Sequence, residues 1–129
     1  MRTKGFLNAL DKLFDSPEKW AQGHSAYDSN GNPVSCLSPD AVKWCILGGV
    51  GKVCGLDNKD QETLIAILTR AMHKLPGSEC YLGYWNDRPK RTFRDIRELI
   101  IATKAEIDSL ALLRKERSVA KRRRSELPR

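Results

Sequence analysis

The segment Tyr81-Leu82-Gly83-Tyr84-Trp85-Asn86-Asp87-Arg88-Pro89-Lys90-Arg91-Thr92 puts two tyrosines, a tryptophan and three basic residues into twelve positions. Flat apolar rings beside guanidinium donors can stack on bases and meet phosphates. The same residues also have a purely structural use. Trp85 can anchor a loop in the core, Asn86 and Asp87 can tie its backbone, and Thr92 can cap a following helix. Trp20-Ala21-Gln22-Gly23-His24 poses the same choice. A small-ligand or enzymatic site built from both loops would use Trp20, Gln22, His24, Trp85, Asn86, Asp87 and Arg88.

Other chemistry-bearing residues are scattered. Cysteines at 36, 45, 54 and 80 include no pair with the two-residue gap that gathers two thiolates for a metal, so reduced, structural roles are expected. His24 and His73 form no i, i+4 pair, and Cys36 with His24 makes a nucleophile and base only if the chain folds them together. Gly48-Gly49-Val50-Gly51-Lys52 lacks the spacing and the Ser or Thr of a phosphate-binding loop, and packing explains its glycines. Asp28, Asp57, Asp60, Asp87 and Asp95 could converge on Mg²⁺, yet caps and turns want Asp at most of these places. No metal, no cofactor and no catalytic residue is expected.

The chain has 129 residues, about one domain, and carries 23 Lys and Arg against 16 Asp and Glu, a formal charge of +7. That balance excludes an acidic, self-repelling disordered protein. The charge is not spread evenly. Residues 114–129 hold eight basic side chains (Arg114, Lys115, Arg117, Lys121, Arg122, Arg123, Arg124 and Arg129) against Glu116 and Glu126, a net +6, which leaves the first 113 residues at +1. Residues 1–113 thus read as a nearly neutral helical domain and 114–129 as a basic extension that meets DNA or RNA phosphates, or only keeps the chain soluble. The run from Ala41 to Val53 is broken by Lys43, Lys52 and three glycines, so no membrane span is expected. Met1-Arg2-Thr3-Lys4 begins no signal peptide, so a cytoplasmic location is expected.

Periodicity supplies the elements that must position these groups. Phe6, Leu7, Leu10, Leu13 and Phe14 predict a helix over Thr3 to Asp15. Ser16-Pro17 predicts a cap and first turn of a short helix through Trp20 that ends at Gly23. Asn30-Gly31 predicts a type I′ turn in a small β-hairpin or ordered loop between His24 and Leu37. Ser38-Pro39-Asp40 repeats the start signal for a helix from Pro39 to about Val53, with Val42, Cys45, Ile46, Gly49, Val50 and Val53 on its apolar face. Its glycines at 48, 49 and 51 predict close approach of another helix. Asp57 to Asp60 opens a helix with a broad face of Leu64, Ile65, Ile67, Leu68, Ala71 and Met72, closed by Pro76-Gly77. Residues 78–89 read as a loop. From Thr92, capped with Asp95, the positions Ile96, Leu99, Ile100, Thr103, Ile107, Leu110 and Leu113 keep one face apolar, and nothing interrupts the helix before Pro128. A helix to about Glu126 would span roughly 50 Å, so its basic end should project into solvent.

Taken in order, Trp20-x-Gln22-Gly23, Asp28 with Gly31, Trp44-Cys45-x-Leu47-Gly48-Gly49, and Trp85-Asn86-Asp87 followed by Thr92 resemble a small domain family of unknown function found in actinobacteria, other bacteria and their phages. The resemblance spans roughly residues 5 to 105 and implies a compact, mainly helical fold with no transferable activity. This chain departs from the pattern at Gly49, where the family commonly has alanine, and in its basic tail, which lies outside the shared region.

The expected architecture is mainly α, a compact bundle of about five helices with one small β-hairpin and a long C-terminal helix. Two functions are expected. One is a non-catalytic accessory or regulatory protein, phage or prophage encoded, that binds nucleic acid non-specifically through its basic helix. The other is the small-ligand domain described above. A protein partner or a second copy would pair with the long helix through its Ile96 to Leu113 face.

Overall fold

The computed structural model describes residues 2–126. Its helices are α1 (Arg2–Leu13), α2 (Ile46–Cys54), α3 (Asn58–Met72), α4 (Leu82–Asp87) and α5 (Phe93–Ser125), with a single 3₁₀ turn at Pro17–Lys19. Three two-residue strands, β1 (Ala26–Tyr27), β2 (Pro33–Val34) and β3 (Lys43–Trp44), form an antiparallel sheet in the order β2-β1-β3. The mainly helical bundle with a long last helix is as expected. Arg129 and Pro128 lie outside the described residues.

Long periodic segments fold as their spacing predicts. Leu7 and Leu10 of α1 and the following Phe14 are buried, as are Leu64, Leu68, Ala71 and Met72 of α3. Asp57 caps α3 by accepting from the Asp60 N–H at 3.1 Å. Thr92 and Asp95 form a reciprocal capping box on α5.

Four local expectations are corrected. The helix expected from Pro39 starts at Ile46. Ser38-Pro39-Asp40 makes a turn, in which Ser38 Oγ accepts from the Asp40 N–H at 3.1 Å, because the chain beyond it is needed as β3 to satisfy the open edge of β1. Val42 is consequently 44% exposed. The true cap of α2 is Cys45, whose Sγ accepts from the Gly48 N–H at 3.2 Å. The short helix after Ser16 is one 3₁₀ turn, because Trp20 is already extended and bridges to Trp44. The expected two-stranded hairpin gains a third strand, and its turn is not type I′. Asn30 lacks the positive φ which that turn demands, and Gly31, at φ +82, alone adopts it. Asp28 holds the turn through the Asn30 and Asn32 N–H groups at 3.0 and 2.9 Å. Finally, the expected loop at 78–89 contains α4, too short to show a period.

Ion pairs fasten α5 to the bundle. Asp11 lies between Lys104 and Arg97, the latter at 2.6 Å. Although partial burial opposes its charge, these cations hold the Asp11 carboxyl below its ordinary range. Glu106, only 5% exposed, accepts from Lys74 and Arg70, each at 2.5 Å. The Lys74 hydrogen bond, aided by Arg70 and opposed by burial, likewise depresses the Glu106 pKa. A carboxylate whose folded pKa is depressed contributes stability above its unfolded pKa and loses it as pH falls through the folded one. Glu106→Gln should therefore melt several degrees lower at pH 7, and the gap to wild type should close under acid; a gap independent of pH would contradict this role.

Ile96, Leu99, Ile100, Thr103 and Ile107 of α5 are buried, against α1 and α3. That portion of the Ile96 to Leu113 face is used within the chain and is closed to a partner helix. Beyond Ile107 no described residue is buried, and Leu112 and Leu113 are 57% and 43% exposed.

Candidate functional site

The two loops singled out by composition meet around one side chain. Asn86 sits on α4, 1% exposed, and every polar atom of its amide is engaged. Its Oδ1 accepts from Trp20 Nε1 at 2.8 Å and from the Ile46 N–H at 2.9 Å. Its Nδ2 donates to the Ala21 carbonyl at 3.1 Å and to Asp87 Oδ1 at 2.9 Å. The Ile46 N–H belongs to the first turn of α2, which has no intrahelical acceptor. One amide thus joins the 3₁₀ turn, the start of α2 and α4.

Neighbouring groups extend the tie. Gln22 Nε2 donates to the Asn86 and Arg88 carbonyls at 2.9 and 2.7 Å. Asp87 Oδ1 also accepts from the Gly23 N–H at 3.1 Å. Gly23 has φ +94, a conformation that disfavours any side chain, and a Cβ there would stand 3.0 Å from the Tyr27 hydroxyl. That hydroxyl donates to the Gln22 carbonyl at 2.6 Å. Trp85 is buried at 1% exposure. The Arg91 guanidinium stacks on its ring at 4.1 Å, and Arg91 Nε donates to the Trp85 carbonyl at 2.7 Å.

Trp20, Gln22, Asn86 and Asp87 therefore come together as a clamp in which the Trp20 indole N–H and the whole Asn86 amide are spent on the protein's own chain. His24 stands apart, exposed and edge-on to the Tyr27 ring at 5.7 Å. Arg88 contributes its carbonyl to the clamp and sends its guanidinium outward to Glu79. That pair crosses a shallow cleft of about 450 Å³ between Gly77–Glu79 and Arg88–Arg91. Of the seven residues expected to bind a ligand, only Arg88 lines it. The roles of Cys45, Tyr27 and Arg91, each bonded to a backbone group three to six residues away, and of Ser25, whose carbonyl accepts from the Cys45 N–H at 3.2 Å, carry no composition signal in the sequence.

The other candidate groups fill structural places. Burial pushes the Cys45 thiol up and the Cys54 thiol to about 11, so both are neutral. No hydrogen bond joins His24 to Cys36 among the described residues. Asp28, Asp57 and Asp95 serve a turn and two caps, Asp60 pairs with Arg2 at 2.7 Å, and Asp87 belongs to the clamp. Among the described residues, no group of three or more His, Cys, Asp or Glu could hold a metal ion, and no helix is long and apolar enough to cross a membrane.

The basic candidates occupy the free end of α5. From Asp108 to Ser125 the helix runs on for roughly 27 Å at 1.5 Å per residue. Arg114, Arg117, Lys121 and Arg124 succeed one another at spacings of three, four and three, which places them on one side of it. They continue the line of Thr103, Ile107 and Leu110, so the side that is apolar within the body turns basic where it leaves. Lys115, Arg122 and Arg123 lie toward the opposite side of the helix. Arg122, Arg123 and Arg124 also sit in the last turn, where cations complement the helix dipole.

A family model described as a family of unknown function (DUF6197) matches residues 2–106, ending one residue before the last buried position of α5. No curated protein and no solved structure matches the chain.

Proposed function

We propose, for a chain that belongs to the DUF6197 family of unknown function, a non-catalytic accessory or regulatory role in which the helical body carries a basic arm that grips nucleic-acid phosphates. The observation that carries this reading is the stripe of Arg114, Arg117, Lys121 and Arg124 on a helix that runs unbroken from the packed core into solvent. Cations held on one helical side at one-turn intervals can meet successive phosphates while paying little ordering entropy. Phosphate contacts carry no sequence information directly, so DNA and RNA of unrelated sequence should bind alike. Such a partner is compatible with a cytoplasmic location, that of the host where a phage carries the gene. The arm lies outside residues 2–106, so phosphate binding is a property of this chain and not of the family.

Fluorescence anisotropy with a short duplex tests the stripe. Each phosphate contact contributes about 0.9 to the log–log salt slope on duplex DNA. Replacing Arg114, Arg117, Lys121 and Arg124 by glutamine should flatten the slope by up to about 3.6. Replacing Lys115, Arg122 and Arg123 should flatten it less. An unchanged slope in the stripe variant, with helicity verified by circular dichroism, would overturn the reading.

A further inference from the structure

The side of α5 turned away from the body is exposed at every position except the half-buried Val119. Starting at Arg94 and stepping alternately by four and three, its positions fall on one line as far as Glu126, the 3.5-residue period of a helix seam. Midway along that line Ile101 is 62% and Leu112 57% exposed, Ala105 is open and Val119 is half-buried. We propose that this line pairs with the same line of a second copy of the chain, antiparallel, about a two-fold axis beside residue 110.

The sequence of the line closes on itself in that register. Arg94 meets Glu126 of the other copy, and Glu98 meets its Arg122. Ile101 meets Val119, giving an apolar layer on either side of the axis. Ala105 leaves room for the stem of Lys115, whose ammonium reaches toward Asp108 in the adjoining layer, where Leu112 stands opposite. Because each contact occurs twice, the interface is isologous and closed. A parallel arrangement would instead set Arg94, Glu98, Asp108, Lys115 and Arg122 each against its own copy, like charge on like.

Two features of the fold fit this partner. The body packs on the opposite side of α5, against Leu99, Thr103 and Ile107, so each body lies outside the helix pair. Residues 108–125 have no buried position within their own chain, and the pairing would lay them along residues 94–107 of the other copy. The stripe from Arg114 to Arg124 remains on the outer side, so nucleic-acid binding and pairing do not exclude each other, and either can fail alone.

Sedimentation equilibrium of the full chain between about 1 and 200 µM should show reversible dimers with a Kd in the micromolar range, and a monomer throughout would overturn the proposal. Glu98→Arg and Arg122→Glu should each weaken the dimer about three- to tenfold, and the two together should restore it. In a Cys80→Ser background, mixing Ile101→Cys with Val119→Cys chains should give mixed disulfide dimers. Cross-linking of Ile101→Cys to itself in preference to the mixed product would overturn the antiparallel register.

Discussion

Asn86→Ala is expected to cost about 3 to 5 kcal/mol of folding stability, a large fraction of what holds a domain of this size together. The residue is 1% exposed and supports four hydrogen bonds. Alanine would strand the Ile46 N–H, the Ala21 carbonyl and the Trp20 indole N–H. Each buried polar group left without a partner costs about 1 to 3 kcal/mol, and the half-buried Trp20 falls at the low end because water can reach it. Asn86→Asp separates geometry from charge. It keeps the acceptor for Ile46 and Trp20 but sets a carboxylate beside Asp87 and opposite the Ala21 carbonyl, which needs a donor. Its deficit should therefore shrink under acid, where the protonated carboxyl can donate. Urea unfolding at pH 7 and pH 4 reads both effects, and an Asn86→Ala loss below about 1 kcal/mol would show that the clamp does not hold the three elements together.

Gly48→Ala should be comparably severe, at about 3 kcal/mol or more, for a different reason. A Cβ at Gly48 would lie 1.8 Å from the Ser25 carbonyl oxygen and 2.6 Å from its carbon. Those atoms are backbone, and the same carbonyl accepts from the Cys45 N–H at 3.2 Å. Relief requires the first turn of α2 to withdraw from the start of β1, breaking that bond and disturbing the Ile46 contact with Asn86. Gly49 offers a contrast, because its Cβ would meet the ring of Phe14 at 2.6 Å, a side chain that can shift. Gly5 has nothing within 4 Å, so Gly5→Ala should be neutral or stabilise α1 by up to about 1 kcal/mol. Thermal melts of the three variants should rank Gly48→Ala lowest and Gly5→Ala highest. A Gly48→Ala protein that melts with wild type would refute the close approach.

The helices legible in the sequence are those whose signals are local and long. α1, α3 and the packed part of α5 show several turns of apolar period, and Asp57 and Thr92 lie where caps are wanted. Ser38-Pro39-Asp40 misled because a turn and a helix start use the same residues. The deciding fact was the open edge of β1, a demand made by Ala26 and Tyr27 well upstream. α4 has six residues and no period to read. The glycines of α2 signalled close approach correctly, but the expected neighbour was a helix. That holds for Gly49 against α1, whereas Gly48 meets the strand backbone and Gly51 meets Cys36.

The candidate site was legible as composition and opaque as function. Trp20, Gln22, Asn86 and Asp87 stand out as a set, and all four participate in the clamp. Nothing local shows that Asn86 would accept from a backbone N–H forty positions upstream. His24 entered the set by adjacency to Gln22 and Gly23, and the fold leaves it outside. The basic arm needed no tertiary information, because both its charge and the spacing of its stripe are properties of consecutive residues on one helix.

Binding of nucleic-acid phosphates by the arm beyond the body is decided by the salt dependence of duplex affinity for the full chain and for a chain ending at Leu113. The full chain should bind with a log–log slope of about −4, and the shortened chain, folded as judged by its melting curve, should lose that slope and nearly all its affinity at low salt. Equal affinity and equal slope for the two proteins would contradict the account.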